Sequence, residues 1–315
     1  MRGKIEDLLQ QTIIDRLEII IINSGSQEGE DSIISEYLSR FPNIKYIKTE
    51  KRETIYKAWN IGIKHSSGIF ITNSNTDDRL KKDALERMVN FLIEHPDVAL
   101  VYADQIISRI ENERFSEVKN IKTINFPDFK TNYLLERCII GSQPMWRSSL
   151  HFKDNFWFDE FYEVCGDHDF ELRVANKYKI FHLNEALGLF YKSPQKKNKE
   201  YENLKRNLME VRRIQKNHTP VFINNFSKDE LNRLKTFYGK YLHIPLPILF
   251  LIKIGMKLVN VQYPKYFFHS VGFIYYFNIL LLRKTNDTKK AKKVAKRYLR
   301  YKNSDQILNA LSLEI

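Results

Sequence analysis

The sequence predicts an α/β fold: a mostly parallel sheet flanked by helices, followed by a helical, basic carboxyl-terminal extension. Three observations carry this. The first 110 residues alternate short apolar runs with segments of helical spacing, the pattern that builds a parallel sheet with crossover helices. With 43 % apolar and 13 % aromatic residues, the chain can bury a sizeable core, which excludes pervasive disorder. Charge is unevenly spread. Residues 221–315 hold 17 Lys and Arg against 5 Asp and Glu, leaving 34 against 33 for residues 1–220. The net +13 therefore belongs to the tail.

The elements follow in order. Leu17–Ile22 is a continuous apolar run ending in Asn23-Ser24-Gly25-Ser26, which reads as a buried strand and a turn. Ser32–Phe41 has helical spacing and stops at Pro42. Ile44–Lys48 is a second strand, Thr54–His65 a helix and Ile69–Asn73 a third strand. Asp83–His95 presents Leu85, Met88, Val89 and Leu92 on one helical face, and Val98–Tyr102 is a fourth strand. The pattern weakens over 108–135, then returns as a helix over Phe158–Val174 and a strand over Leu187–Tyr191. Composition shifts after Pro220, so the domains are drawn as 1–220 and 221–315.

Ligands of such sheets sit at the carboxyl ends of the strands, which directs attention to Asn23–Ser26 and Asn73–Asp78. Adjacent carboxylates at Asp77 and Asp78 repel one another, and Mg²⁺ or Mn²⁺ would relieve that repulsion through oxygen ligands. The same dipeptide also suits a helix start, where negative charge contributes roughly 0.3–1 kcal/mol. Asp167, after Gly166 and before an amphipathic stretch, reads either as a helix cap or as a general base. His168 reads as a surface or hydrogen-bonded residue rather than a metal ligand, and Cys165 as a small packed side chain rather than a nucleophile.

Taken together, residues 5–195 resemble a family 2 glycosyltransferase. LEIIIINSGS resembles that family's second strand and nucleotide-side turn; Ala58-Trp59-Asn60-Ile61-Gly62-Ile63 and Ser67-Gly68-Ile69-Phe70-Ile71 resemble its approach to the metal motif. Thr76-Asp77-Asp78 stands at the DxD-type position, Gly141–Arg147 resembles the segment between donor and acceptor, and Phe158-Asp159-Glu160 with Gly166-Asp167, Phe170 and Arg173 resembles the catalytic-base segment. The resemblance implies a GT-A (Rossmann-like) fold and an inverting transfer from a nucleotide-sugar donor to a cell-envelope saccharide or lipid-linked acceptor. It implies Asp167 as base, Asp78 as direct metal ligand supported by Asp77, Asn23, Ser24, Asn60 and Asp77 on the donor side, and Trp146 and Arg147 on the acceptor side.

Three departures qualify it. The family's first strand has no counterpart, so the domain is expected to be truncated at its amino end. Asn23-Ser24 stands where many members carry a base-reading aspartate, and Lys192-Ser193-Pro194 where some carry a metal-binding histidine. The first two favour an alternative, a non-catalytic relative serving as a binding or scaffold module; the retained Asp77, Asp78 and Asp167 oppose it.

The tail contains apolar runs within 244–282, including Tyr266–Leu282 without a charged residue, then ten Lys and Arg against Asp287 over Arg283–Lys302. That pattern suits either peripheral attachment to an anionic membrane surface or extra helices packed on the enzyme with a solvated basic face. It lacks a stacking platform, so no nucleic-acid partner is expected. Two cysteines without CxxC spacing, and an amino terminus without a signal-peptide core, point to a cytoplasmic protein, peripheral on the inner face of the plasma membrane.

Overall fold

The computed structural model describes residues 1–119, 121–195, 203–242, 271–284 and 287–299. In chain order the elements begin with α1 (Arg2–Leu9), β1 (Ile19–Asn23), α2 (Glu30–Leu38), β2 (Ile44–Lys48), α3 (Ile55–Lys64), β3 (Phe70–Thr72), β4 (Arg79–Leu80), α4 (Ala84–Glu94) and β5 (Val98–Ser108). They continue with β6 (Thr123–Ile124), α5 (Thr131–Glu136), β7 (Met145–Arg147), α6 (Ser149–Phe152), α7 (Gly166–Ala175), β8 (Lys179–Tyr191), α8 (Leu204–Asn225), α9 (Lys228–Leu242), α10 (Val271–Lys284) and α11 (Thr288–Leu299).

The α/β alternation is as expected, and the pairing is mixed rather than parallel throughout. β1 and β2 form a parallel pair on their own; a second sheet runs β3-β7-β5-β8-β4, with β6 on β5. Its longest ladder, β5 with β8, is parallel. β3 with β7, β7 with β5, β4 with β8 and β5 with β6 are antiparallel. β5 runs past the expected Tyr102 to Ser108 and is buried along its whole length, a strand covered on both faces. β1 hydrogen-bonds a strand on one side only, and its Ile20, Ile21 and Ile22 stay half-buried despite their apolar run.

One apolar core spans both sheets. Ile5 and Leu8 of α1, Ile19, Ile34, Ile44, Leu85, Met88, Leu92 and Val101 belong to it. α1 joins because its apolar face is sealed by polar ties to the segment after β3. Lys4 Nζ donates to the Asp78 carbonyl at 3.0 Å, and Asp7 accepts from Leu80 N–H at 3.0 Å. Burial lowers the Lys4 pKa, partly offset by Asp7.

Phe158–Val174 is not one helix. Asn60 accepts from Phe158 N–H at 3.0 Å and donates to Phe158 O at 2.9 Å, so that backbone is held extended. The helix begins only at Gly166. Glu210, from far along the chain, fixes the loop leading into it, accepting the N–H groups of Glu163, Val164 and Cys165 at 2.9, 3.0 and 2.9 Å.

Two compact units separate in the chain: Met1–Leu134 with Cys138–Glu210, and Leu135–Arg137 with Val211–Ile315. The break lies within α8 and precedes the compositional shift at 220; α8 also carries Pro220 inside it. In the second unit Tyr275, Phe277, Ile279, Leu280, Leu281 and Leu282 are buried. The described part of the apolar tail is thus core of the second unit; residues 243–270 lie outside the described residues. α11 buries Ala291, Val294, Ala295 and Tyr298 and exposes Lys289, Lys290, Lys292, Lys293 and Lys296. Among the described residues no helix is long and apolar enough to cross a membrane.

Candidate active site

A cavity of about 70 Å³ is lined by residues from distant parts of the sequence: Asn73 and Asn75 after β3, Gly141, Ser142 and Pro144 before β7, and Asp167 and Glu171 on α7. Trp59, Trp146, Phe158 and Phe170 form its aromatic wall.

α7 presents Asp167 half-buried in its first turn. Asp167 Oδ1 accepts from His168 N–H at 2.8 Å and from the Tyr56 hydroxyl at 3.2 Å. Gly166 lets the helix start against Tyr56, for a Cβ there would meet the ring at 2.7 Å. Burial, then the Asp167 charge, raises the Tyr56 pKa, so this hydroxyl stays a donor. Asp169 pairs with Arg173 at 2.9 Å, and Arg173 donates to Trp157 O at 2.7 Å, fixing the helix against the loop before it. Behind the wall, Trp146 Nε1–H donates to His151 Nε2 at 2.7 Å. Burial pushes the His151 pKa down to about 4, which keeps the ring neutral and accepting. His168 is buried and its Nε2 meets the Leu134 carbonyl, so it is a hydrogen-bonded core residue. Cys165 is also buried, as expected of a packed side chain.

Asp77 and Asp78 differ sharply. Asp77 is exposed, whereas Asp78 is 1 % exposed. Asp78 Oδ1 accepts from Tyr191 N–H at 3.0 Å, Oδ2 accepts from Asn75 at 3.3 Å, and the Ser142 hydroxyl is a further partner. Burial, then the neighbouring Asp77 charge, pushes the Asp78 pKa up to about 6. Gln105 donates to Ser142 Oγ at 2.8 Å and Asn73 to Ser142 O at 2.6 Å, so the 141–144 segment is tied to the aspartate loop. Through Tyr191, the Lys192-Ser193-Pro194 segment starts beside Asp78. Among the described residues no group of three or more His, Cys, Asp and Glu is placed to hold a metal ion.

Several expected donor and acceptor residues are engaged in the fold instead. Asn23 donates to Asp31 and Tyr46 and accepts from Ser26 N–H. Ser24 exchanges hydrogen bonds with the Glu53 backbone, and Gly25 turns there at φ +64 because Arg52 N lies 3.0 Å from where a Cβ would be. Asn60 is spent on Phe158 and Glu160. Trp146 does line the cavity, but Arg147 points to the carbonyls of Leu92, His95 and Val98, where it closes the end of α4. Sequence reasoning did not single out Tyr56, Ser142, Asn75 or Glu171; Ser142 and Asn75 lay inside motifs that were noticed.

Comparison with known proteins is consistent with this geometry. Residues 2–151 match the profile of glycosyl transferase family 2. The chain is 27 % identical over 182 residues to the chondroitin synthase of Pasteurella multocida, spanning 58 % of this chain and 18 % of that protein. It is 28 % identical over 92 residues to the minor teichoic acid biosynthesis protein GgaB of Bacillus subtilis, spanning 29 % of this chain and 10 % of that protein. The matched region is thus under a fifth of the length of these relatives. The structure of S. aureus TarS 1-349 in complex with UDP superposes with a TM-score of 0.54 at 14 % identity, covering 98 % of this chain and 83 % of that one. That likeness is one of fold, the GT-A arrangement of sheet and helices, with a helical region following it. On the match over residues 2–151, the amino-terminal part of this chain is similar to glycosyl transferase family 2, and the whole shares the GT-A architecture.

Proposed function

We propose that this chain is an inverting glycosyltransferase that moves a sugar from a nucleotide-sugar to a hydroxyl of a cell-envelope polysaccharide or lipid-linked acceptor. The observation that carries the reading is the single cavity shared by Asp167 and the asparagines flanking the Asp77-Asp78 turn. A proton acceptor and an anion-handling segment then face one small volume.

Asp167 takes the proton of the acceptor hydroxyl as its oxygen attacks the anomeric carbon. The bond from that carbon to the diphosphate oxygen breaks, and the nucleoside diphosphate leaves with the electron pair. The new glycosidic bond forms on the opposite face, so configuration inverts. Tyr56 holds the Asp167 carboxylate towards the cavity. The aromatic wall keeps water from competing with the acceptor and offers Trp59 and Trp146 to a sugar face.

The residues fit Mn²⁺ or Mg²⁺. Two adjacent carboxylates in an all-oxygen and amide setting, one of them pushed up by burial and then by its neighbour's charge, are a site that a hard cation relieves. Asp77 offers the accessible oxygens, and Asp78 holds the loop from behind. When bound, the ion supplies charge neutralisation for the departing diphosphate. The exposed lysines of α11 suit an electrostatic attachment to an anionic leaflet, without insertion of that helix's buried face.

The reading is tested by calorimetric titration of the purified chain with nucleoside diphosphates, with and without Mn²⁺, beginning with UDP because TarS is held with it. Metal-dependent binding of one nucleotide is expected. A folded sample that binds none supports instead a non-catalytic module, for which the internally engaged Asn23, Ser24 and Asn60 speak. Chondroitin, hyaluronan and teichoic acid then serve as trial acceptors, following the names of the matched proteins.

A further inference from the structure

Asp167 is not the only acid of α7 in the cavity. Glu171 follows it by one helical turn, a spacing that stacks side chains on one face. Glu171 lines the same volume and is 2 % exposed. Its Oε2 accepts the Cys138 thiol at 3.4 Å, and its Oε1 has no protein partner among the described residues. A buried carboxyl that lines the cavity, with one oxygen engaged only by a weak donor, is more than a packing element. Among the described residues no lysine or arginine pairs with it.

We propose that Glu171 is a second working acid of the cleft, which donates a hydrogen bond from an uncharged carboxyl to an acceptor oxygen while Asp167 deprotonates the attacking hydroxyl. This rests on the transferase reading above. The groups that face Glu171 agree with an uncharged state. Asp167 lies on its own helix, Cys138 follows α5, and Tyr102 of β5 is within electrostatic reach. None of these is a cation. Burial first, and the Asp167 charge second, hold the Glu171 carboxyl well above the usual carboxylate range. Burial likewise raises Cys138, and Tyr102 is raised for the same reason, so both stay protonated. Asp167 is then left as the base among protonated neighbours. Two carboxyls whose surroundings push their ionisation apart are the arrangement that separates an acid from a base.

Two variants and one spectroscopic measurement test this. Glu171→Gln keeps the shape and a hydrogen-bond donor, whereas Glu171→Leu keeps only the bulk. With whichever of chondroitin oligosaccharide, hyaluronan oligosaccharide or teichoic acid the wild type extends, Glu171→Gln should stay within about threefold of the wild-type acceptor KM. Glu171→Leu should raise that KM by about tenfold or more. Acceptor KM unmoved in Glu171→Leu, or equal losses in both variants at unchanged melting temperature, would overturn the proposal. Infrared spectra need no acceptor: a protonated-carboxyl stretch present at pH 7 and lost in Glu171→Gln is expected, and its absence from the wild type also overturns it. Failure of the transferase reading shows up separately, as a folded wild type that binds no nucleoside diphosphate.

Discussion

The two flanks of the cavity solve the problem of holding an aspartate in opposite ways. On one flank Asp78 is buried and saturated by Tyr191, Asn75 and Ser142, in a loop knitted by polar bonds to 141–144 and to α1. On the other, Asp167 stands half-open at a helix start, with Tyr56 its donor from across the fold and a wall of stacked and edge-on rings behind it. A carboxylate buried among donors serves to hold its loop; one half-open at the edge of a cavity is reachable by an incoming hydroxyl. The difference teaches that the two aspartates found by motif are not equivalent in availability, and that Asp77, the exposed one, is the open member of the acidic pair.

The sharpest way to break this comparison is Asp167→Asn, expected to lower transfer by about 10²–10⁴-fold. The melting temperature and metal-dependent nucleotide affinity should hardly change; wild-type turnover would remove Asp167 from the chemistry. On the other flank, Asp78→Ala should cost about 2–4 kcal/mol in chemical denaturation, since several buried donors lose their acceptor. Asp77→Ala should instead leave stability alone and weaken Mn²⁺-dependent nucleotide binding. Equal stability losses in the two variants would erase the distinction drawn between them.

The aromatic wall can be probed through pH. His151 has a depressed pKa, about 4 against the usual 6.5, so the folded state resists its protonation. Stability should therefore be full above about pH 6.5 and fall on acidification towards pH 4, by up to about 3 kcal/mol. His151→Asn should flatten that fall, and an unchanged slope would locate the acid sensitivity elsewhere. Arg147→Ala should cost about 2 kcal/mol, because carbonyls at the end of α4 lose a charged donor, while acceptor KM stays constant. A raised KM would return Arg147 to the acceptor site. Smallest in effect on the fold, Lys→Gln changes at 289, 290, 292, 293 and 296 should leave melting unchanged and weaken binding to anionic vesicles, and more so at low salt. Undiminished binding would reject α11 as the attachment face.

By itself the sequence determined the α/β class, because apolar runs of strand length alternating with helical periodicity leave few other layer arrangements. It also marked Asp77, Asp78 and Asp167, since acids placed where strands end or helices begin are local features of the chain. Only the tertiary structure decided what each does. Asp78 became a buried anchor when Tyr191 from β8 reached it, and Asn60 a backbone clamp when Phe158 arrived from 98 residues away. Pro220 fell inside α8 rather than ending a domain, and the loop leading into α7 was fixed by Glu210. Glu171 became part of the cavity through the turn of α7 that places it below Asp167. Hydrogen bonds and burial between residues far apart in the chain leave no periodicity to read, and they are what divide holding a site from acting in it.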